Sequence, residues 1–334
     1  MSPLTQTVKA MPKTTILLLH KGTPTSLYHA KEHLVEKLYH EGINQRLLSS
    51  FFVDKFLKFN KSLIRTINEG QNGICRDETL VKELESELGK MKLPWSPFRV
   101  ENAYAYSKPS FEEVLDTIVK QKGTERLVAM DMTCGIGDET KSAPERRVNV
   151  YLDEKTDLID FEETRFKVTK GHPVSFDFTF VKGWLESEFV IDYWANRITN
   201  LNKGEEMIVF TIPYTQYKLL NEEGMENYRG LCQKIVGKLG FAFTWRISYY
   251  REWDDLSLWF NLDEVSAVVK NQKKHGVKKM LVVPLVDCLS HGNKMCYSPN
   301  LRESESFSIL KPCDNQHFET NLVAKILAKH LIDD

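Results

Sequence analysis

Cys288, His291 and Cys296 stand in a Cys-x2-His-x4-Cys spacing, and thiolates beside an imidazole are the ligands that zinc and similar metals take. Cys313 is the residue that could complete a tetrahedron. The same spacing also suits a structural histidine among ordinary buried thiols, the commoner use of such residues. Six cysteines scattered over 334 residues, with no secretory signal, argue against a disulfide framework and for a reducing compartment. His291 is the candidate metal ligand.

Other residues with chemistry sit where aliphatic runs stop. Thr14–His20 is followed by Lys21-Gly22-Thr23-Pro24, where Gly22 permits an unusual backbone angle and Pro24 fixes the next turn. Phe98–Tyr106 is followed by Ser107-Lys108-Pro109, and Arg126–Met132 by Thr133-Cys134-Gly135. Tyr106 could face a ligand there. Met132 could do so too, although a methionine at a strand end more often fills a core.

The elements that must position these residues alternate. Strands are expected at Thr14–His20, Phe98–Tyr106, Arg126–Met132, Phe176–Val181, Glu206–Thr211, Ala242–Ser248 and Met280–Val286. Helices are expected over Leu27–His40, Asp77–Lys90, Ser110–Lys120, Glu186–Asn200, Glu222–Leu239, Leu262–His275 and Asn315–Ile332. Ser110 with Glu113 reads as a capping box, and Asp77 as an N-cap. Such alternation specifies an α/β fold of two Rossmann-like domains, with parallel sheets flanked by helices and a cleft between them. The expected domains are 14–165 and 172–334, with 1–13 a tail or weak targeting segment. Residues 152–175, charged and holding Gly171 and Pro173, read as the joining linker. Open parallel sheets bind ligands beyond the carboxyl ends of their strands.

A net charge of −1 excludes a nucleic-acid footprint, which needs a basic excess. No apolar run approaches the ~18 residues of a membrane span. Phe51–Lys61 is aromatic and basic, with Lys55, Lys58 and Lys61 on its polar side. It could touch a membrane surface or simply pack on a core. Lys9 and Lys13, without an acid among the first thirteen residues, are compatible with a short targeting tail.

Residues 184–297 resemble the C-terminal half of a ferrochelatase, and a weaker resemblance runs over about 14–332. Val209-Phe210-Thr211-Ile212-Pro213 is similar to the family's A-H-S-L-P, with Phe210 at the histidine. Cys288-Leu289-Ser290-His291-Gly292-Asn293 is similar to S-D-H-x-E, with Asn293 at the glutamate. Trp245–Ser248, Ser257–Phe260 and Lys278–Pro284 match further strand motifs. Ala105-Tyr106-Ser107-Lys108-Pro109 resembles R-Y-x-x-P with alanine at the arginine, and only Gly224 and Tyr228 remain of G-D-P-Y. A P-Q-Y-S element is replaced by Asp131–Cys134.

The resemblance implies the class II chelatase fold and a porphyrin cleft touched by Tyr106, Met132, Phe210, Thr211, His291 and Asn293. Inserting ferrous iron into protoporphyrin requires two pyrrole protons to leave. Phenylalanine and asparagine cannot take them up at neutral pH. The expectation is a ferrochelatase-like protein of haem metabolism that binds porphyrin or haem, with little or no iron insertion. One alternative is an active ferrochelatase with rearranged catalytic groups, His291 foremost. Another is a non-catalytic interaction partner on a chelatase scaffold. No [2Fe–2S] cluster is expected, because the tail holds one cysteine and four thiolates are needed. Peripheral membrane contact, a homodimer and a place on the matrix side of the mitochondrial inner membrane follow from the resemblance, with the cytoplasm as the other compartment.

Overall fold

The computed structural model describes residues 13–22, 24–40, 51–59, 77–120, 124–132, 144–161, 164–170, 175–201, 204–214, 222–252, 264–286, 295–296, 307–310 and 316–333. Strand β1 (Thr14–His20) is buried along its whole length. Ile16 and Leu18 enter one core while Leu17 and Leu19 enter another. A near-continuous aliphatic run specifies this kind of strand, covered on both faces. It pairs in parallel with β2 (Phe98–Tyr104) and β3 (Arg126–Asp131).

Helices α1 (Leu27–His40) and α2 (Phe51–Phe59) follow β1, and residues 77–90 form helix α3. Helix α4 (Phe111–Lys120) buries Phe111, Val114, Leu115, Ile118 and Val119. Those positions recur at i, i+3, i+4, i+7 and i+8, the stripe that faces a sheet. Each fully buried aliphatic side chain contributes roughly 1.5–3 kcal/mol relative to exposure. The capping box closes as expected: the Glu113 amide donates to Ser110 Oγ at 3.2 Å, and the Ser110 amide donates to Glu113 Oε2 at 2.9 Å.

The expected linker is not a linker. Residues up to Lys155 belong to helix α5 (Pro144–Lys155), which the sequence reading passed over. Strands β4 (Thr156–Phe161) and β5 (Thr164–Thr169) then pair antiparallel, with Phe161 opposite Thr164. Their register sets Ile159 opposite Phe166 and Asp160 opposite Arg165, and β4 lies at the edge of the sheet. Strand β6 (Ser175–Val181) was expected to open the second half, yet it pairs in parallel with β3. The first sheet therefore runs β2-β1-β3-β6-β5-β4, and the chain changes sheets after Val181 rather than between 165 and 172.

A single turn (Trp184–Glu186) leads into α6 (Glu188–Leu201) and the second sheet. Its centre is β7 (Met207–Pro213), flanked in parallel by β8 (Thr244–Glu252) and β9 (Met280–Pro284). The short β10 (Met295–Cys296) pairs antiparallel with β8, and β11 (Phe307–Ile309) pairs in parallel with β9. Helices α7 (Glu222–Lys238), α8 (Glu264–Lys274) and α9 (Gln316–Asp333) cover this sheet. One core cluster joins Ile16, Val128 and Met130 of the first sheet to Ile208, Phe210 and Ile212 of the second. Polar ties reinforce it. Trp184 Nε1 donates to the Asp131 carbonyl at 3.0 Å, and Thr320 Oγ1 to Glu83 Oε2 at 2.8 Å. The expected α/β architecture of two parallel sheets flanked by helices is thus present.

Candidate functional site

Beyond the carboxyl end of β1 the chain turns at Gly22, whose φ is +92°. The Ser107 side chain lies against it, so that an added Cβ would stand 2.4 Å from Ser107 Oγ. This close approach lets the segment after β2 fold back over β1. The Ala105 amide donates to the His20 carbonyl at 2.8 Å, and the Tyr106 amide to the Lys21 carbonyl at 3.2 Å. His20 itself is buried, with Nε2 3.0 Å from Asn102 Oδ1.

A cavity of about 460 Å³ opens between α1 and this segment. His29, Glu32, Val35 and Glu36 of α1 line one side, and Ala105, Tyr106, Ser107 and Lys108 the other. The His33 ring, wholly buried, meets Tyr106 edge-on at 5.1 Å behind that wall. Arg147 of α5 also borders the cavity and donates from Nη1 to the Ala105 carbonyl at 2.8 Å. Its Nη2 donates to Glu112 Oε1, also at 2.8 Å. Burial raises the Glu112 carboxyl, but the hydrogen bond and charge of Arg147 outweigh it and hold the group below the ordinary carboxylate value. Lys108 is paired in turn with Glu113, whose hydrogen bond raises the lysine. Every residue bordering the cavity comes from the first-sheet half of the chain.

At the carboxyl end of the second sheet the Tyr214 and Tyr249 rings meet with centroids 4.9 Å apart, tilted at 47° to each other. Both are half-buried and so keep some exposed surface. Phe210 does not. It stands in the middle of β7, 0% exposed, with the Trp245 ring 6.2 Å away. Thr211 is equally buried, and its hydroxyl donates to the Val283 carbonyl at 3.4 Å. Both lie inside a sheet covered on both faces. Met132 is core as well, packed with Met130 and Trp184. Of the expected cleft residues, Tyr106 borders the cavity. His291 and Asn293 lie outside the described residues, as do the side chains of Cys288, Cys296 and Cys313.

A family model for ferrochelatase matches residues 13–290. The chain belongs to the ferrochelatase family. That match spans both sheets, from the first residue before β1 to beyond β9. No curated protein matches the chain. A multi-domain protein from Deinococcus radiodurans, described as structurally similar to chelatases with two additional novel domains, superposes with a TM-score of 0.46 at 9% identity. That alignment covers 95% of this chain and 54% of the other, so the chain spans about half its length. A Bacteroides fragilis protein described as a LacI transcriptional regulator gives 0.29 at 11% identity, covering 97% and 92%. The family assignment rests on the match over residues 13–290 alone.

Within this ferrochelatase-family fold, several site residues escaped the sequence reading. Arg147 lies on a helix whose charged run, Glu145-Arg146-Arg147, carries no periodic apolar signal. His29 and His33 belong to an expected helix, but nothing in their spacing separates a cavity-lining residue from a buried one. Ala105, where the resembled motif has arginine, instead receives a guanidinium on its carbonyl from Arg147. Among the described residues no group of three histidine, cysteine, aspartate or glutamate side chains is arranged to hold a metal. No described helix is long and apolar enough to cross a membrane. In the aromatic, basic helix α2, Val53 is buried while Asp54 ties it to Lys31 of α1 at 2.8 Å. Cys232 is a free, buried thiol, and burial pushes it well above the usual thiol range.

Proposed function

We propose that this ferrochelatase-family protein binds a tetrapyrrole, porphyrin or haem, at the carboxyl ends of its strands, and inserts ferrous iron slowly or not at all. The observation that carries this reading is the composition of the β7 end. From 210 to 214 the residues are Phe, Thr, Ile, Pro and Tyr. Whichever of them meets a ligand, none brings an imidazole or a carboxylate. Metallation needs two pyrrole protons removed, and hydroxyl and hydrocarbon side chains do not take them up near neutrality. Loss of one general base costs typically about 10²–10⁴ in rate.

Binding makes different demands. A flat apolar macrocycle is held by aromatic and aliphatic faces, with a few polar groups fixing its orientation. Tyr214 and Tyr249 supply the first, and the cavity beside Tyr106 adds apolar surface at Val35 and polar groups at His29, Glu32, Ser107 and Lys108. By the same family membership the setting is haem metabolism. The test is an absorbance titration of the full chain with protoporphyrin IX and with haem, followed by zinc and ferrous insertion on the same sample. Saturable binding with insertion at background supports the reading. No binding of either ligand at micromolar concentration favours an interaction partner on a chelatase scaffold.

A further inference from the structure

Arg147 is the most constrained cation bordering the cavity, with a side chain only 6% exposed. Its guanidinium lies 4.8 Å over the Phe111 ring and divides its two terminal nitrogens between the Ala105 carbonyl and Glu112. Its Nε is buried without a hydrogen-bond partner. A buried donor without an acceptor is costly, so the side chain gives up one bond to keep the geometry of the other two. Helix α5, which carries it, is itself held at two points. Tyr151 donates to Asp116 Oδ1 of α4 at 3.0 Å, and Glu145 pairs with Lys182 at 2.6 Å. The two acceptors of Arg147 lie at the start of the segment 105–110 and just beyond its end.

We propose that Arg147 is a positioning residue that clamps the segment 105–110 and so sets the place of Tyr106 against the tetrapyrrole. The clamp rests on the tetrapyrrole-binding reading only for its ligand; its effect on the segment is independent of it. A planar guanidinium can serve two acceptors in a fixed fork, which an ammonium cannot. Arg147→Lys therefore keeps the charge and loses half of the clamp.

The experiment compares full-length wild type, R147Q and R147K by amide hydrogen exchange and by fluorescence titration with protoporphyrin IX. The amides of 105–110 in R147Q are expected to exchange about tenfold faster, as loss of one charge-assisted bond to a local segment implies. Protoporphyrin affinity is expected to fall by about tenfold with a shifted emission maximum, and R147K to recover part of both. Unchanged exchange in folded R147Q overturns the clamp. Faster exchange with unchanged affinity and emission overturns its role at the ligand. If R147Q does not fold, R147K decides alone, with unaltered exchange of 105–110 counting against the proposal. Wild type that binds no porphyrin overturns the tetrapyrrole reading instead, while exchange still decides the clamp.

Discussion

Gly22 and Ser107 approach so closely that a methyl group on the glycine would stand 2.8 Å from Ser107 Cβ. The contact brings the turn after β1 against the segment after β2, and the cavity wall depends on it. At φ +92° an L-residue is strained whatever the space around it. Gly22→Ala is therefore expected to lower stability by about 2 kcal/mol or more in denaturant unfolding. It should also displace Ser107 and weaken ligand binding. A variant as stable as wild type would mean that the turn rearranges freely.

Phe210 packs at the centre of the shared core, and its burial decides what a histidine would do there. Phe210→His removes apolar volume and buries a polar ring among aliphatic neighbours. The expected loss is about 2–4 kcal/mol, read from the unfolding midpoint, with no gain in metal insertion. Restored insertion would show that position 210 reaches the ligand after all.

Tyr104 donates its hydroxyl to Asp77 Oδ2 at 2.9 Å inside the fold. Burial, then the Asp77 charge and hydrogen bond, push its ionisation far above the ordinary tyrosine value. The folded state thus holds a proton that the unfolded chain releases near pH 10. The stabilisation is complete below that pH and is lost as pH rises above it. Tyr104→Phe should cost about 1–3 kcal/mol at neutral pH and flatten the alkaline fall in stability. An identical alkaline profile in the variant would assign that fall to other groups.

The parts of the fold written in regular periodicity were legible. Thr14–His20 is a run of aliphatics and makes a central strand, and the stripe from Phe111 to Val119 makes a helix with its capping box. The hairpin at 156–169 was not, because its charged residues resemble a linker when its pairing partner is unknown. Phe176–Val181 was seen as a strand but placed in the wrong sheet, since a strand's own residues do not name its neighbour. Tyr106 could be found from its position after a strand. Arg147 could not, because its value lies in reaching a carbonyl 42 positions away in the chain. Phe210 shows the limit of motif matching. The motif aligns it with a position that carries chemistry, but a motif does not show that β7 continues to Pro213 and that residue 210 is buried.

On the proposed reading the family scaffold holds a tetrapyrrole with no imidazole or carboxylate among residues 210–214 to take up its pyrrole protons. That reading is tested most directly by zinc insertion into protoporphyrin IX, followed by fluorescence on a sample already shown to bind the porphyrin. Saturable binding is expected, with an insertion rate at least ~10² below that of an ordinary family member assayed beside it. Turnover near the ordinary rate would contradict it and place the proton acceptor elsewhere in the chain.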